Sequence, residues 1–347
     1  MRGRQARISL ILLSSLTVAA GIGWRAYAAS DSAQATQVAE VSQSSPLPAP
    51  EVSPARDLIQ QALALWDTSK RKEGMLDADV QAKALLERVV KDYPGTEEAA
   101  EALVHLGFGH WWKGMKDQAW AYYDKLFKDY PNSPARIRAW LDLDDFLSKD
   151  GRHDESISYC MKVLQAYPND KAAAEAKMDI GHNMTWMNDY EGALKWYQRM
   201  IAENPDSEYA LPARRWAGEC LMWEHPKEAI PYFQEVLARE SDDTQKAWAL
   251  WDLATCYAEL EQYDNARATY GDLLSRKGAA YEYWYASAHQ NIGMSFYLQK
   301  RYAEARAELS LAITGWPQET QTVENARRIL GWVDQAEKRA ASGGGGS

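Results

Sequence analysis

A short string ending in proline returns through this chain at a fixed step. Asp92-Tyr93-Pro94 is followed by Asp129-Tyr130-Pro131, Ala166-Tyr167-Pro168 and Glu203-Asn204-Pro205, each 37 residues after the last. The next two copies lose the proline and keep an apolar pair, Val236-Leu237 and Leu273-Leu274; proline comes back at Gly315-Trp316-Pro317. An earlier partial copy begins near Ala55, with an expanded loop over 67–77. A period of this size means a row of small units that cannot bury their apolar faces singly and do so by stacking.

Inside a copy the apolar residues recur at helical rather than alternating spacing. In the copy from Glu98 to Tyr130 a first helix carries Leu103, Leu106 and Gly107 and ends near Gly114, and a second runs from Asp117 to Asp129. Proline stops the second helix, because it has no N–H to donate and pushes its predecessor out of helical geometry. Two residues past each proline stands Thr96, Ser133, Asp170 or Ser207, each expected to N-cap the next helix. The chain is therefore all-α.

These positions resemble the tetratricopeptide repeat. That pattern sets a small residue within the first helix, another early in the second, an aromatic one turn later and a closing proline. Here the first small site holds Gly107, Gly181, Gly218, Ala254 and Gly293; the second holds Ala82, Ala119, Ala193, Ala229, Ala266 and Ala305; the aromatic is Tyr123, Tyr197, Phe233 or Tyr270. One copy departs, with Asp144, Ser156 and Cys160 at the three sites, and looser packing is expected there. The resemblance implies a right-handed α-solenoid (superhelix) of helix–turn–helix units and a concave groove lined by first helices. The groove residues it implies are Phe108, Trp111 and Trp112; Asp145; His182 and Trp186; Arg215, Glu219 and Trp223; Trp248 and Trp251; and Tyr297. Adjacent residues on a helix point about 100° apart, so Trp111 and Trp112 cannot both face one neighbour. The Tyr-Pro-Asn-Ser joint is similar to cell-envelope members of this family, such as outer-membrane-assembly lipoproteins, although this chain has no lipidated cysteine.

Outside the array the material changes. Arg2, Arg4 and Arg7 precede an apolar run from Ile8 to Gly23, and Ala26-Tyr27-Ala28 offers a cleavage site, the three-part pattern of a secretory leader. The run of about 16 residues is short for a membrane span, which needs about 20. The expected organisation is a leader over 1–29, or an N-terminal anchor if uncleaved, and a Pro/Ser-rich linker over 30–54. About seven repeats follow over 55–321, then a capping helix over 322–340 that lacks a second helix of its own, and a Gly/Ser tail over 341–347.

The net charge of −10 excludes nucleic acid as a natural partner. Cys160, Cys220 and Cys256 are too few and too widely spaced for a disulfide framework or a metal motif. His105 and His110 are five apart and do not share a face as metal ligands would. With no nucleophile, phosphate or zinc motif, the chain reads as non-catalytic, with no cofactor and no metal. Its 15 Trp and 19 Tyr against 5 Phe suit binding instead. The expected partner is a protein or peptide of the cell envelope. The alternatives are a polysaccharide, or self-association as a spacer. Membrane contact is expected only through an uncleaved N-terminal segment.

Overall fold

A computed structural model of the chain describes residues 53–66 and 75–343. The expected leader, most of the linker, most of the expanded loop and the end of the tail lie outside these residues. All regular structure within them is helical. In chain order the helices are α1 (Pro54–Trp66), α2 (Met75–Asp92), α3 (Glu97–Trp112), α4 (Lys116–Asp129), α5 (Ala135–Lys149), α6 (His153–Ala166), α7 (Ala172–Trp186) and α8 (Tyr190–Glu203). There follow α9 (Ala210–Leu221), α10 (Pro226–Arg239), α11 (Asp243–Glu259), α12 (Tyr263–Ser275), the short α13 (Ala279–Glu282), α14 (Tyr285–Leu298), α15 (Tyr302–Gly315) and α16 (Thr320–Gly343). The chain divides into two compact units, the first ending at Ala213 and the second running from Arg214.

Each unit is a stack of helical hairpins in α-solenoid fashion. The reason lies in the small side chains that line each stack. Ala82, Ala119, Ser156, Ala193, Ala229, Ala266 and Ala305 are all fully buried, one per second helix. Opposite them the first helices present glycine: a Cβ built on Gly107 would lie 2.7 Å from the Tyr123 ring, and one on Gly218 would lie 2.7 Å from Phe233. The backbones approach closely at the small residues, and the aromatic fills the space beyond. In the last hairpin Leu309 takes the aromatic's place against Gly293.

The turns inside several of the hairpins are closed the same way. Gly114 and Gly151 sit at φ +74° and +76°, and the amide after each reaches back to a carbonyl five residues earlier: Met115 to His110 at 3.0 Å and Arg152 to Leu147 at 2.8 Å. This is the glycine-terminated helix end that satisfies carbonyls left over by the last turn. Asn188, Glu261 and Lys300 occupy the equivalent left-handed position without being glycine.

At three of the four joints between hairpins the next helix begins one or two residues later than expected. Thr96 does cap α3, accepting from the Ala99 amide. Ser133, Asp170 and Ser207 instead close tight turns, their amides bonding to the carbonyls of Tyr130, Tyr167 and Asn204 at 3.1 Å. Their side-chain oxygens accept from the amide two residues on, at Ala135, Ala172 and Tyr209. The proline at the second place of the turn favours this tight chain reversal, so the helix starts after it.

The departing copy is not loose. Asp144, Ser156 and Cys160 are all buried; Ser156 Oγ donates to Asp144 Oδ1, and Asn183 Nδ2 reaches the same oxygen at 3.3 Å. Polar bonding replaces the glycine–aromatic fit. At the other end, α16 closes the second unit by burying Ala326, Ile329 and Val333 against α14 and α15. Nothing would meet a Cβ at Gly331, the seat a further second helix would fill.

Candidate binding face

In the first unit three first helices present the expected residues. Trp111 is half-buried and stacks face to face on Phe146 of the next first helix, with ring centroids 4.4 Å apart and planes 7° apart. It is a joint between hairpins. Trp112, rotated away, is 63% exposed and meets Phe108 edge-on at 6.0 Å. Lys149 Nζ lies 5.2 Å above the Trp112 ring and also pairs with Asp145 at 2.6 Å. On α7, His182 is half-buried, edge-on to Tyr197 at 5.8 Å, with Nδ1 3.8 Å from Asp179. Trp186 is 42% exposed, beside exposed Met187 and Tyr190. Trp112, Lys149 and Trp186 fall at successive 37-residue steps, at the carboxyl ends of α3, α5 and α7.

The charges around this face are mostly matched. Glu101 pairs with Arg56 at 2.5 Å and lies 3.8 Å from His105, whose hydrogen bond is the largest cause holding the Glu101 carboxyl below its usual range. Arg138 Nε sits 2.7 Å from Asp142 Oδ1, while burial pushes the Asp142 carboxyl up to about 6. Asp144, Cys160 and Asp179 bring one metal-capable atom each within 4.8 Å of one another. Burial, then the neighbouring Asp179 charge, drives the Asp144 carboxyl well above its usual range; burial does the same to the Cys160 thiol.

In the second unit the expected residues are mostly interior. Arg215 lies between the rings of Trp216 and Trp248, 4.7 and 5.3 Å from their centroids, and bonds Glu219. Trp248 and Trp251 are buried and both pack on Trp284, at 4.6 and 5.4 Å. Trp223 is half-buried, and Tyr297 packs against Tyr302 and Trp332. No disulfide joins Cys160, Cys220 and Cys256.

Three stretches of the chain, residues 101–133, 137–170 and 224–289, match models of the tetratricopeptide repeat. The chain is a tetratricopeptide-repeat protein. Among solved structures, it is similar to a tetratricopeptide repeat protein from Parabacteroides merdae, at 15% identity over 79% of this chain and 98% of that one, with a TM-score of 0.47. Pseudomonas aeruginosa pilF is 15% identical over 67% of this chain and 99% of its own, with a TM-score of 0.49. YrrB, described as a tetratricopeptide-repeat protein with an unusual peptide-binding site, is 17% identical over 59% and 97%, with a TM-score of 0.45. No curated protein matches the sequence.

The repeat pattern locates Trp112 and Trp186 but misses Trp284, on which the second unit's tryptophans converge. Trp284 follows the short α13, where the step from Ala266 to Ala305 stretches to 39 residues. That stretch was its only signal. Met187 and Tyr190 were missed because they lie past the end of a first helix, outside the repeat positions that face a groove.

Proposed function

We propose that this tetratricopeptide-repeat protein is a non-catalytic scaffold of the cell envelope that binds a protein or peptide segment on the first unit. Proteins of this family generally serve as scaffolds rather than catalysts. The observation that carries the reading is Trp112: a tryptophan 63% exposed, on a helix whose other large apolar residues are buried or half-buried. Trp186, Met187 and Tyr190 repeat the exposure two hairpins on. Aromatic anchors of this kind dominate protein interfaces because they bury large area with little entropy loss.

A peptide suits the face better than a sugar. Lys149 already lies over the Trp112 ring face, where a sugar ring would need to stack. Export rests on the Arg-rich, apolar and Ala-x-Ala segments at the N-terminus. Among the described residues no helix is long and apolar enough to cross a membrane.

The test is co-purification from the native envelope followed by mass spectrometry, with Trp112→Ala/Trp186→Ala as the comparison. The variant should keep its helical circular dichroism and lose the partner, since one aromatic anchor contributes about 2 kcal/mol or more. A partner retained at native yield would sink the reading. Tryptophan fluorescence should stay flat on titration with oligosaccharides, and a saturable shift would favour a carbohydrate ligand.

A further inference from the structure

Successive hairpins are joined by a polar contact as well as by apolar packing. Tyr123, the aromatic of α4, donates its hydroxyl to Asp142 Oδ2 on α5 at 3.1 Å, with both side chains buried. Tyr270 of α12 does the same work towards α14, its hydroxyl oxygen accepting from Asn291 Nδ2 at 2.9 Å. Asp252 holds this position on α11. It follows Phe233 by the same 19 residues that separate Asp142 from Tyr123. Phe233 also sits on Gly218 as Tyr123 sits on Gly107.

Phenylalanine has no hydroxyl. Asp252 is 3% exposed, and its Oδ2 has no hydrogen-bond partner. The charged and titratable groups that act on it come from three helices. Glu219 and Arg215 face it from α9, Tyr270 from α12, and Cys256 lies one turn along α11. Arg215 is already bonded to Glu219. The short α13 meets α11 through Tyr281 and Asp243, more than two turns away.

We propose that the Phe233–Asp252 joint is a pH-sensitive seam of the second unit, closed while the Asp252 carboxyl holds its proton and loosened when that proton leaves. A neutral carboxyl tolerates a buried seat without a donor, whereas a carboxylate there is desolvated and repelled by Glu219. Burial first, and then the Glu219 charge, raises the carboxyl well above its usual range. The closed seam therefore keeps a proton that the opened seam releases. Opening grows as pH rises from the ordinary carboxylate range to the raised one, and levels off above it. Because hairpins in a stack touch only their neighbours, one seam can loosen without melting the rest.

Hydrogen exchange of the α10–α12 amides, corrected for intrinsic rates and followed across pH in the full chain, tests this. The native opening constant should climb by up to about tenfold per pH unit in that window. Asp252→Asn should flatten the climb. Phe233→Tyr restores the missing hydroxyl and should slow opening at neutral pH. Tyr123→Phe, which removes the same hydroxyl from Asp142, should bring new pH-dependent opening to α4 and α5. A native slope retained in Asp252→Asn overturns the proposal, as does a folded Phe233→Tyr that opens as fast as the native chain. If Phe233→Tyr does not fold, the other two variants decide.

Discussion

At the residue scale, the most constrained positions are those where a helix crossing has no spare volume. A methyl added at Gly107 would stand 2.7 Å from the Tyr123 ring, and that ring is fixed by its hydroxyl on Asp142. Gly107→Ala should therefore destabilise by roughly 1–3 kcal/mol, the range for overpacking a filled core. Urea denaturation followed by circular dichroism measures it, and an unchanged midpoint would show that the ring can move. Lys300 presents the opposite case, standing at φ +61° where glycine carries no penalty. Lys300→Gly should raise stability by about 1 kcal/mol, the cost of holding a side chain in the left-handed region. A lowered melting temperature would count against that account.

At the scale of the element, helix starts differ in how they are held. Asp242 caps α11 by accepting from the Gln245 amide at 2.8 Å, and α11 carries Trp248, Trp251 and Asp252. Asp242→Ala should cost about 1 kcal/mol, the usual loss for a cap of this type. The closing helix α16 matters more. Its buried stripe, Ala326, Ile329 and Val333, covers α15, and Arg306 ties it further to Asp334 and Glu337 at 2.6 Å. A chain ending before Thr320 should lose exchange protection in α14 and α15 while α3 to α8 keep theirs. Equal protection throughout would mean that α16 is not a structural cap.

For the whole molecule, buried acids set the pH response. Asp142, Asp144, Asp252 and Glu259 are all raised, chiefly by burial. An acid whose folded value is raised stabilises the protein less as pH climbs from the unfolded value to the folded one. The melting temperature should therefore fall as pH rises from about 4 towards neutrality. Glu101 and Glu203, lowered by their partners, act in the other direction, and only below the ordinary carboxylate range. A melting temperature that climbs over the same interval would contradict this balance.

The chain by itself determined the repeat, its helical hairpins and the small residues that line each stack, because those depend on local spacing that any stacked copy must share. It also marked Trp112 and Trp186 for the proposed binding face. What it could not decide was which tryptophans stay at the surface. Trp111 and Trp112 are neighbours in sequence, yet one stacks on Phe146 and the other faces solvent, a difference set by 100° of helix rotation and by what the next hairpin offers. Trp248 and Trp251 were drawn inward by Trp284, which arrives from an insertion that breaks the period. The copy holding Asp144 reads in sequence as a failed repeat; only packing shows its three odd residues bonding one another in place of the glycine and the aromatic. Burial belongs to pairs of helices, and a one-dimensional period carries only half of each pair.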